Sequence, residues 1–424
     1  MAYVLGIDIG STNTAATVAR RRGATWMRPE VVALGGSSAT VPSALHLSAD
    51  GTLVVGESVA EDGTRTARGF VRRVGDDVPL LLAGEACPPQ MLTAVLAAWV
   101  VEQVLDREGG SAEAVVLSHP AGWGRHRREL LHDALWQLGL GNVTLLPRTV
   151  TVAESHAARG FPGSVAAVYA LGGNTFEAAL VRRTPRGTYE TFGFPQGLDW
   201  IGGADFDEAL AEHARTTLAQ ELAALGPRQT DATLRGLLPE CERAKRELTV
   251  GTETDLLMAL PNAPVRVPVS RVRFEDMIRP AVQATVNLLA RAVHSAGLLP
   301  AQLDGVLLDG GSTRIPLVAE LLAAAFPVPV EVEPDPQLTA AAGAALAACQ
   351  VVSPRPRHPE PDIGPTPIGG VGLAAVPAVA AQPGPDHDRP SRSEPPPRPP
   401  VRIAPPELPR PSRLAPARAR KREG

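Results

Sequence analysis

The sequence predicts an α/β protein that ends in a disordered, proline-rich tail. Three observations carry this prediction. Apolar runs of strand length alternate with stretches of helical periodicity. Glycine-bearing polar turns recur beside them, at Gly10-Ser11-Thr12-Asn13, Gly172-Gly173, Gly202-Gly203 and Gly310-Gly311. From Ser353 the composition changes: residues 353–424 hold 20 of the chain's 42 prolines and few large apolar residues. Such a segment buries too little surface to offset its ordering entropy, and part of it suits polyproline II.

The 424 residues suffice for two or three domains, and 44% hydrophobic content supports a sizeable core. The net charge of −4 argues against a general nucleic-acid binder. The charge is uneven, because residues 353–424 carry 12 basic and 7 acidic side chains while the rest is acidic. Cys87, Cys241 and Cys349 are few, odd in number and far apart. That pattern fits a reducing compartment and supplies no disulfide or metal framework. The chain opens on a strand already containing Asp8, so no signal peptide is expected. No apolar run reaches the roughly 18–20 residues of a membrane span. A cytoplasmic protein is expected.

In chain order, Tyr3–Ile9 is a strand and Gly10–Thr14 a turn into a second strand, Ala15–Ala19. Asp8 at the strand end could hold Mg²⁺ through water, since that ion keeps several waters and takes few carboxylates. Ser11, Thr12 and Asn13 add donors for phosphate oxygens, although the same residues suit a polar hairpin. Val41–Leu47 and Thr52–Val55 are short strands around the turn Ala49-Asp50-Gly51, and Phe70–Gly75 is a basic patch suited to solvated surface. Helices follow at Met91–Asp106, Arg125–Leu138 and Thr149–Ala158, with strands at Ala114–Leu117 and Val143–Leu146.

The stretch Ala166–Val181 reads as strand, Gly-Gly turn, strand. Gly172 and Gly173 lack Cβ, so the backbone can adopt φ > 0 and approach a ligand closely. Successive N–H groups in such a turn make an anion-binding concavity, though a plain hairpin has the same pattern. Strand Thr188–Gly193 precedes Gly202-Gly203, which opens a helix over Asp205–Leu225. Pro239–Leu248 is a charged helix whose Glu242, Lys245 and Arg246 share one face, as they would on an exposed, ion-paired helix. Strands Asp255–Leu260 and Val265–Pro268 lead to a helix over Arg273–Ala296. Strand Gly305–Leu308 ends in Asp309–Pro316, and Pro316 suits the first turn of a helix, Leu317–Ala325. A strand at Val330–Val332 and a helix at Gln337–Cys349 complete the folded part.

Taken together, these pieces resemble the nucleotide-binding domain of the seventy-kilodalton heat-shock chaperones of the DnaK type, within the actin-like ATPase superfamily. The resemblance covers about residues 1–350 in the family's order. Gly6–Thr14 (GIDIGSTNT) is similar to the first phosphate loop and Leu171–Glu177 (LGGNTFE) to the second. Gly202–Asp207 (GGADFD) follows the family's GGEDFD. Cys241–Leu248 (CERAKREL) is nearly verbatim the adenosine-contacting helix. Asp309–Pro316 (DGGSTRIP) resembles the adenosine loop and Glu333–Leu346 the closing helix. CERAKREL discriminates best, because sugar kinases and actins share the loops but lack that helix.

The resemblance implies a two-lobed actin-like ATPase fold built from duplicated ribonuclease-H-like subdomains. Lobe I would span 1–160 and lobe II 161–350, with an adenosine-contacting subdomain at about 200–280. ATP or ADP with Mg²⁺ would lie between the lobes. Gly10, Ser11, Thr12, Asn13, Gly172, Gly173, Asn174 and Thr175 would hold phosphates, with Gly202 and Gly203 beside them. Glu242, Lys245 and Arg246 would line the adenosine pocket from one side, opposite Gly310, Gly311, Ser312 and Arg314. Asp335 would sit near the ribose or support that pocket. Lobe closure around ATP would be the switch. Asp8, Glu177 and Arg72 are the expected catalytic residues and Asp8 the expected metal ligand.

The pattern departs from the family where the chemistry lies. The acidic residue opening the second phosphate loop falls on Ala170, the third glycine on Asn174, and the last aspartate on Glu177. The lysine that positions the attacking water falls at Val71 or Arg72, where Arg72 or Arg73 supplies charge without a compact donor. The catalytic glutamate aligns with Arg148, and Glu154 lies one helical turn away. Phosphoryl transfer depends on positioning and electrostatics, so ATP binding with weak hydrolysis is expected. Residues 351–424 show neither the hydrophobic linker nor the peptide-gripping sandwich. Arg398–Arg402 and Leu408–Arg413 could instead dock on a protein partner. The sequence therefore supports a slow chaperone-type ATPase or, alternatively, a non-hydrolysing nucleotide-responsive scaffold.

Overall fold

The structure, a computed structural model, describes residues 1–35, 38–48, 51–56, 63–261 and 263–353. Ala49 and Asp50 of the expected turn, and the tail with its two docking segments, lie outside the described residues. No helix among the described residues is long and apolar enough to cross a membrane.

Two sheets carry the fold, and they repeat one topology. In the first, the central strand Tyr3–Ile9 is buried along its whole length. It forms a hairpin with Asn13–Arg22 on one side and pairs in parallel with Val115–His119 on the other. Val143–Pro147 extends the parallel side. Glu30–Val31 and Thr40–Pro42 pair along the outer edge of Asn13–Arg22. In the second sheet, Val165–Leu171 takes the central role. It forms a hairpin with Phe176–Arg183 and pairs in parallel with Gly305–Asp309, and Val330–Glu331 extends that side. Two antiparallel strands joined by a tight turn, then a parallel neighbour reached through a helix, is the expected duplicated α/β unit. The central strands read as continuous apolar runs because helices cover both faces.

Helix Thr339–Val352 lies against the first strand and also meets helix Arg148–Ala158. Both contacts depend on glycine. A Cβ on Gly6 would lie 2.2 Å from the Ala345 nitrogen, and one on Gly343 would lie 1.6 Å from the Thr151 carbonyl oxygen. Backbone touches backbone at both points, so the alanine-rich composition of this helix is a packing requirement.

The expected elements match closely where hydrophobic periodicity is strong: Tyr3–Ile9 and Val165–Leu171 coincide with the reading. The differences have local causes. The second strand begins at Asn13 and not Ala15, because Gly10 N–H bonds back to the Asn13 carbonyl and closes a tighter turn. Val41–Leu47 is interrupted at Ser43, whose N–H bonds the Thr12 carbonyl and whose hydroxyl faces that of Thr14. The single helix expected over Asp205–Leu225 is broken into Gly203–Thr217 and Ala219–Ala223. A further helix, Pro227–Arg235, starts on its proline.

Candidate functional site

Four turns converge on one region, and close approach explains their glycines. A Cβ on Gly173 would lie 2.5 Å from Thr12 Oγ1, and one on Gly202 would lie 2.6 Å from the Gly173 carbonyl. A Cβ on Gly203 would meet Ser312 Oγ at 2.8 Å and Lys245 Nζ at 2.9 Å. Of these turn glycines only Gly310 has a left-handed backbone, with φ +91°. The positive φ allowed for Gly172 and Gly173 is therefore not used. Their role is to let neighbouring chain come close.

Hydrogen bonds hold the turns together. Asn174 Nδ2–H donates to Thr12 Oγ1 at 2.7 Å, and the Ser11 and Thr175 hydroxyls lie 3.4 Å apart. The N–H groups of Gly203 and Ala204 donate to the carbonyls of Gly172 and Gly173 at 3.0 and 2.7 Å. Ser312 Oγ–H donates to the Gly172 carbonyl at 2.8 Å. Gly10–Asn13, Gly172–Thr175, Gly202-Gly203 and Gly310–Ser312 thus form one hydrogen-bonded cluster of turns.

On the expected adenosine side, Lys245 turns inward and its neighbours do not. Lys245 Nζ–H donates to Asp207 Oδ2 at 2.7 Å and to the Gly203 carbonyl at 2.8 Å. Glu242 and Arg246 pair with each other at the exposed surface, at 2.5 Å. Arg314 reaches Asp335 Oδ1 at 2.6 Å and the Pro334 carbonyl at 3.0 Å, so these two residues stand together. Burial lifts the Asp207 carboxyl to about 6 in spite of Lys245. Its second oxygen has no partner.

The acidic side holds a feature that the sequence reading missed. Arg148 opens the helix Arg148–Ala158, and its guanidinium enters a cluster of carboxylates. It meets Asp8 Oδ1 at 2.8 Å and stands 4.0 Å from Asp309 Oδ2. The charge of Glu177 acts on the same group, and Glu177 accepts the Gly122 N–H at 3.1 Å. Ser118 Oγ–H also donates to Asp8 Oδ1. The duplicated topology explains the placement. Asp8 lies beside Ser118 across the first parallel pair, and Ala170 beside Asp309 across the second. The carboxylate missing at Ala170 therefore stands one strand over, at Asp309. Its place in the strand-ending DGGSTRIP motif was the available signal.

Burial dominates the electrostatics here. It pushes Glu177 upward, against the pull of Arg148. Burial also lifts Asp309 to about 7, again against Arg148 and with Asp8 adding to the rise. A carboxyl that holds its proton to about pH 7 when folded and about pH 4 when unfolded stabilises the fold most in acid. That contribution is lost as pH rises towards 7. Asp309→Asn is therefore expected to flatten the fall in Tm between pH 5 and pH 8; equal slopes for the variant and the parent would refute this assignment.

A cavity of about 220 Å³ opens on this cluster, lined by Ser11, Arg72, Arg148, Ala170, Thr175 and Glu177 among others. Arg72 lies in the short helix Phe70–Arg73 and bonds the Asp199 carbonyl at 2.6 Å. Glu154, the acidic residue nearest Arg148 in sequence, is directed elsewhere. It accepts from Tyr189 N–H and Gln350 Nε2–H, each at 2.9 Å, and lines a separate cavity with Arg159 and Gln350. It is no substitute for the missing carboxylate.

Comparison with known proteins identifies the family. The family model described as Hsp70 protein matches residues 71–360. A protein named chaperone protein HscA homolog, from Bordetella petrii, is 29% identical over 369 residues, covering 81% of this chain and 57% of its own length. Proteins named chaperone protein DnaK from Thermosipho africanus and Thermosipho melanesiensis are each 26% identical over 365 residues. They cover 82% of this chain, which spans 58% and 59% of their lengths. The chain thus spans less than three fifths of these curated relatives. With a family model matching more than half of its residues, the chain belongs to the Hsp70 family.

Proposed function

We propose that the chain is a cytoplasmic ATP-binding protein whose two lobes, 1–160 and 161–350, close on nucleotide and hydrolyse it weakly. One observation carries the reading: four glycine turns from distant parts of the sequence meet in one cluster of donors, with Lys245 against it. Gly10–Asn13 and Gly172–Thr175 take the phosphates. Lys245, with Gly310, Gly311 and Ser312, takes the nucleoside side, and Arg314 and Asp335 flank it. The relatives named as chaperones support a chaperone-like role.

The residues at the carboxylate cluster do not fit a protein-held Mg²⁺. Asp8 Oδ1 is engaged by Arg148 and Ser118, and Ala170 brings no oxygen. Among the described residues no three His, Cys, Asp or Glu side chains converge as a metal-binding group. No step is assigned to the ion.

Weak hydrolysis follows from Arg148. A guanidinium stands where the resemblance implies the catalytic glutamate, and losing one positioning group costs about 10²–10³ in rate. The same substitution favours the alternative, a non-hydrolysing scaffold that recruits a partner through residues 354–424. A single-turnover experiment with excess protein and labelled ATP separates these readings. Slow conversion to bound ADP supports the ATPase, intact bound ATP the scaffold, and absence of binding overturns both.

A further inference from the structure

We infer that the Arg148 guanidinium is the resident cation of this cleft: it pairs with Asp8, with Asp309 and Glu177 beside it, so the chain holds a nucleotide's phosphate chain without a divalent ion. The inference deepens the nucleotide reading above and rests on it.

The geometry is that of a cation site already satisfied. One guanidinium pairs with Asp8 and stands 4.0 Å from Asp309, and the charge of Glu177 acts on it. Asp8 comes from the first central strand, Glu177 from the second hairpin and Asp309 from the parallel strand beside it. The shortest contact, 2.8 Å to Asp8, is an ordinary charge-assisted hydrogen bond. A divalent ion needs oxygens free to take it or its waters, and here Arg148 and Ser118 engage Asp8 Oδ1. Arg148 stays charged at any working pH.

The group is also placed to reach a ligand. Arg148 lines the cavity together with Ser11, Gly172 and Thr175 of both candidate phosphate loops. A Cβ on Gly10 would lie 3.5 Å from an Arg148 terminal nitrogen, so the first loop passes directly over the guanidinium. Its Nε is buried with no hydrogen-bond partner, which leaves donor capacity unspent. Planar guanidinium donors match phosphate oxygens in pairs, and one fixed cation at the phosphates supplies the neutralisation that a metal ion otherwise brings.

Two measurements on the full chain test this. The first is ATP affinity by calorimetry, with Mg²⁺ and with EDTA. The expected result is a Kd that changes less than threefold; a tenfold or greater loosening in EDTA overturns the inference. The second uses Mn²⁺ alone, titrated into nucleotide-free protein and followed by electron paramagnetic resonance. The parent is expected to bind Mn²⁺ at least tenfold more weakly than Arg148→Ala or the bulkier Arg148→Gln, in which the three carboxylates lose their cation. Parent protein binding Mn²⁺ as tightly as the folded variant overturns the inference. If ATP binds under neither condition, the nucleotide reading fails, and the Mn²⁺ comparison still decides whether Arg148 fills a cation site.

Discussion

Arg148→Glu is expected to destabilise the protein by about 3–5 kcal/mol in EDTA, the usual cost of removing one partner from a buried ion pair. The reason is the company that Arg148 keeps. Its guanidinium lies 2.8 Å from Asp8 and 4.0 Å from Asp309, with Glu177 facing it. The variant deletes the cation that pairs with Asp8 and adds a further carboxylate. Against a total stability of about 5–15 kcal/mol, the fall in Tm is large. Adding Mg²⁺ should recover a substantial part of it, since the altered cluster can then hold the ion. Combined with Ala170→Asp, the change also restores two acidic positions of the expected site. Turnover with Mg²⁺ is then expected to rise on the order of 10²-fold, the scale on which one positioning group acts. Thermal scans with and without Mg²⁺, followed by a phosphate-release assay, check both parts. A double variant that melts like the parent in EDTA, or hydrolyses no faster with Mg²⁺, would remove Arg148 from the centre of this account.

Lys245→Ala carries the second large effect, and its two consequences separate by pH. Lys245 Nζ bridges Asp207 Oδ2 and the Gly203 carbonyl, so it ties the charged helix to the glycine turn beside the phosphate loops. Without it Asp207 is a buried carboxylate with no partner. Because burial already lifts that carboxyl to about 6, it escapes the cost by taking up a proton in mild acid. Sign follows from that: the folded-state carboxyl of the variant binds its proton more tightly still, so the loss of stability is largest near pH 8 and shrinks towards pH 5. Hydrogen bonds to charged groups contribute about 1.5–3 kcal/mol, which corresponds to at least a tenfold rise in the Kd for ATP if Lys245 lines the nucleoside pocket. Calorimetry at pH 6, where the variant is least strained, reads binding apart from folding. Unchanged affinity there would leave Lys245 with a structural role alone.

Much of the fold was legible because buried parallel strands declare themselves as apolar runs. Tyr3–Ile9 and Val165–Leu171 needed nothing beyond hydrophobicity and the following glycine. The breaks in the helix after Gly203 were not legible, since no Gly or Pro separates Thr217 from Ala219 and the interruption is set by tertiary packing. The site divides in the same way. Glycines at 173, 202, 203 and 310 mark places where chain passes against chain, and sequence can flag those. Motif position also put Arg148 where an acid was expected, and it appeared there as a loss. That it stands among Asp8, Glu177 and Asp309 follows from strand register. Register places Asp309 beside Ala170, and the DGGSTRIP motif flags Asp309 without showing its neighbour. The inward turn of Lys245, with Glu242 and Arg246 left at the surface, likewise depends on Asp207, a residue 38 positions away.

The crossing of the helices Arg148–Ala158 and Thr339–Val352 has a mechanical consequence. With Gly343 seated against the Thr151 backbone, no layer of side chains lies between the two helices at that point to act as a lubricant. Packed backbone of this kind does not shear smoothly and tends to occupy discrete arrangements. The pair therefore behaves as a single lever. One end carries Arg148 into the carboxylate cluster, and the other ends at Val352.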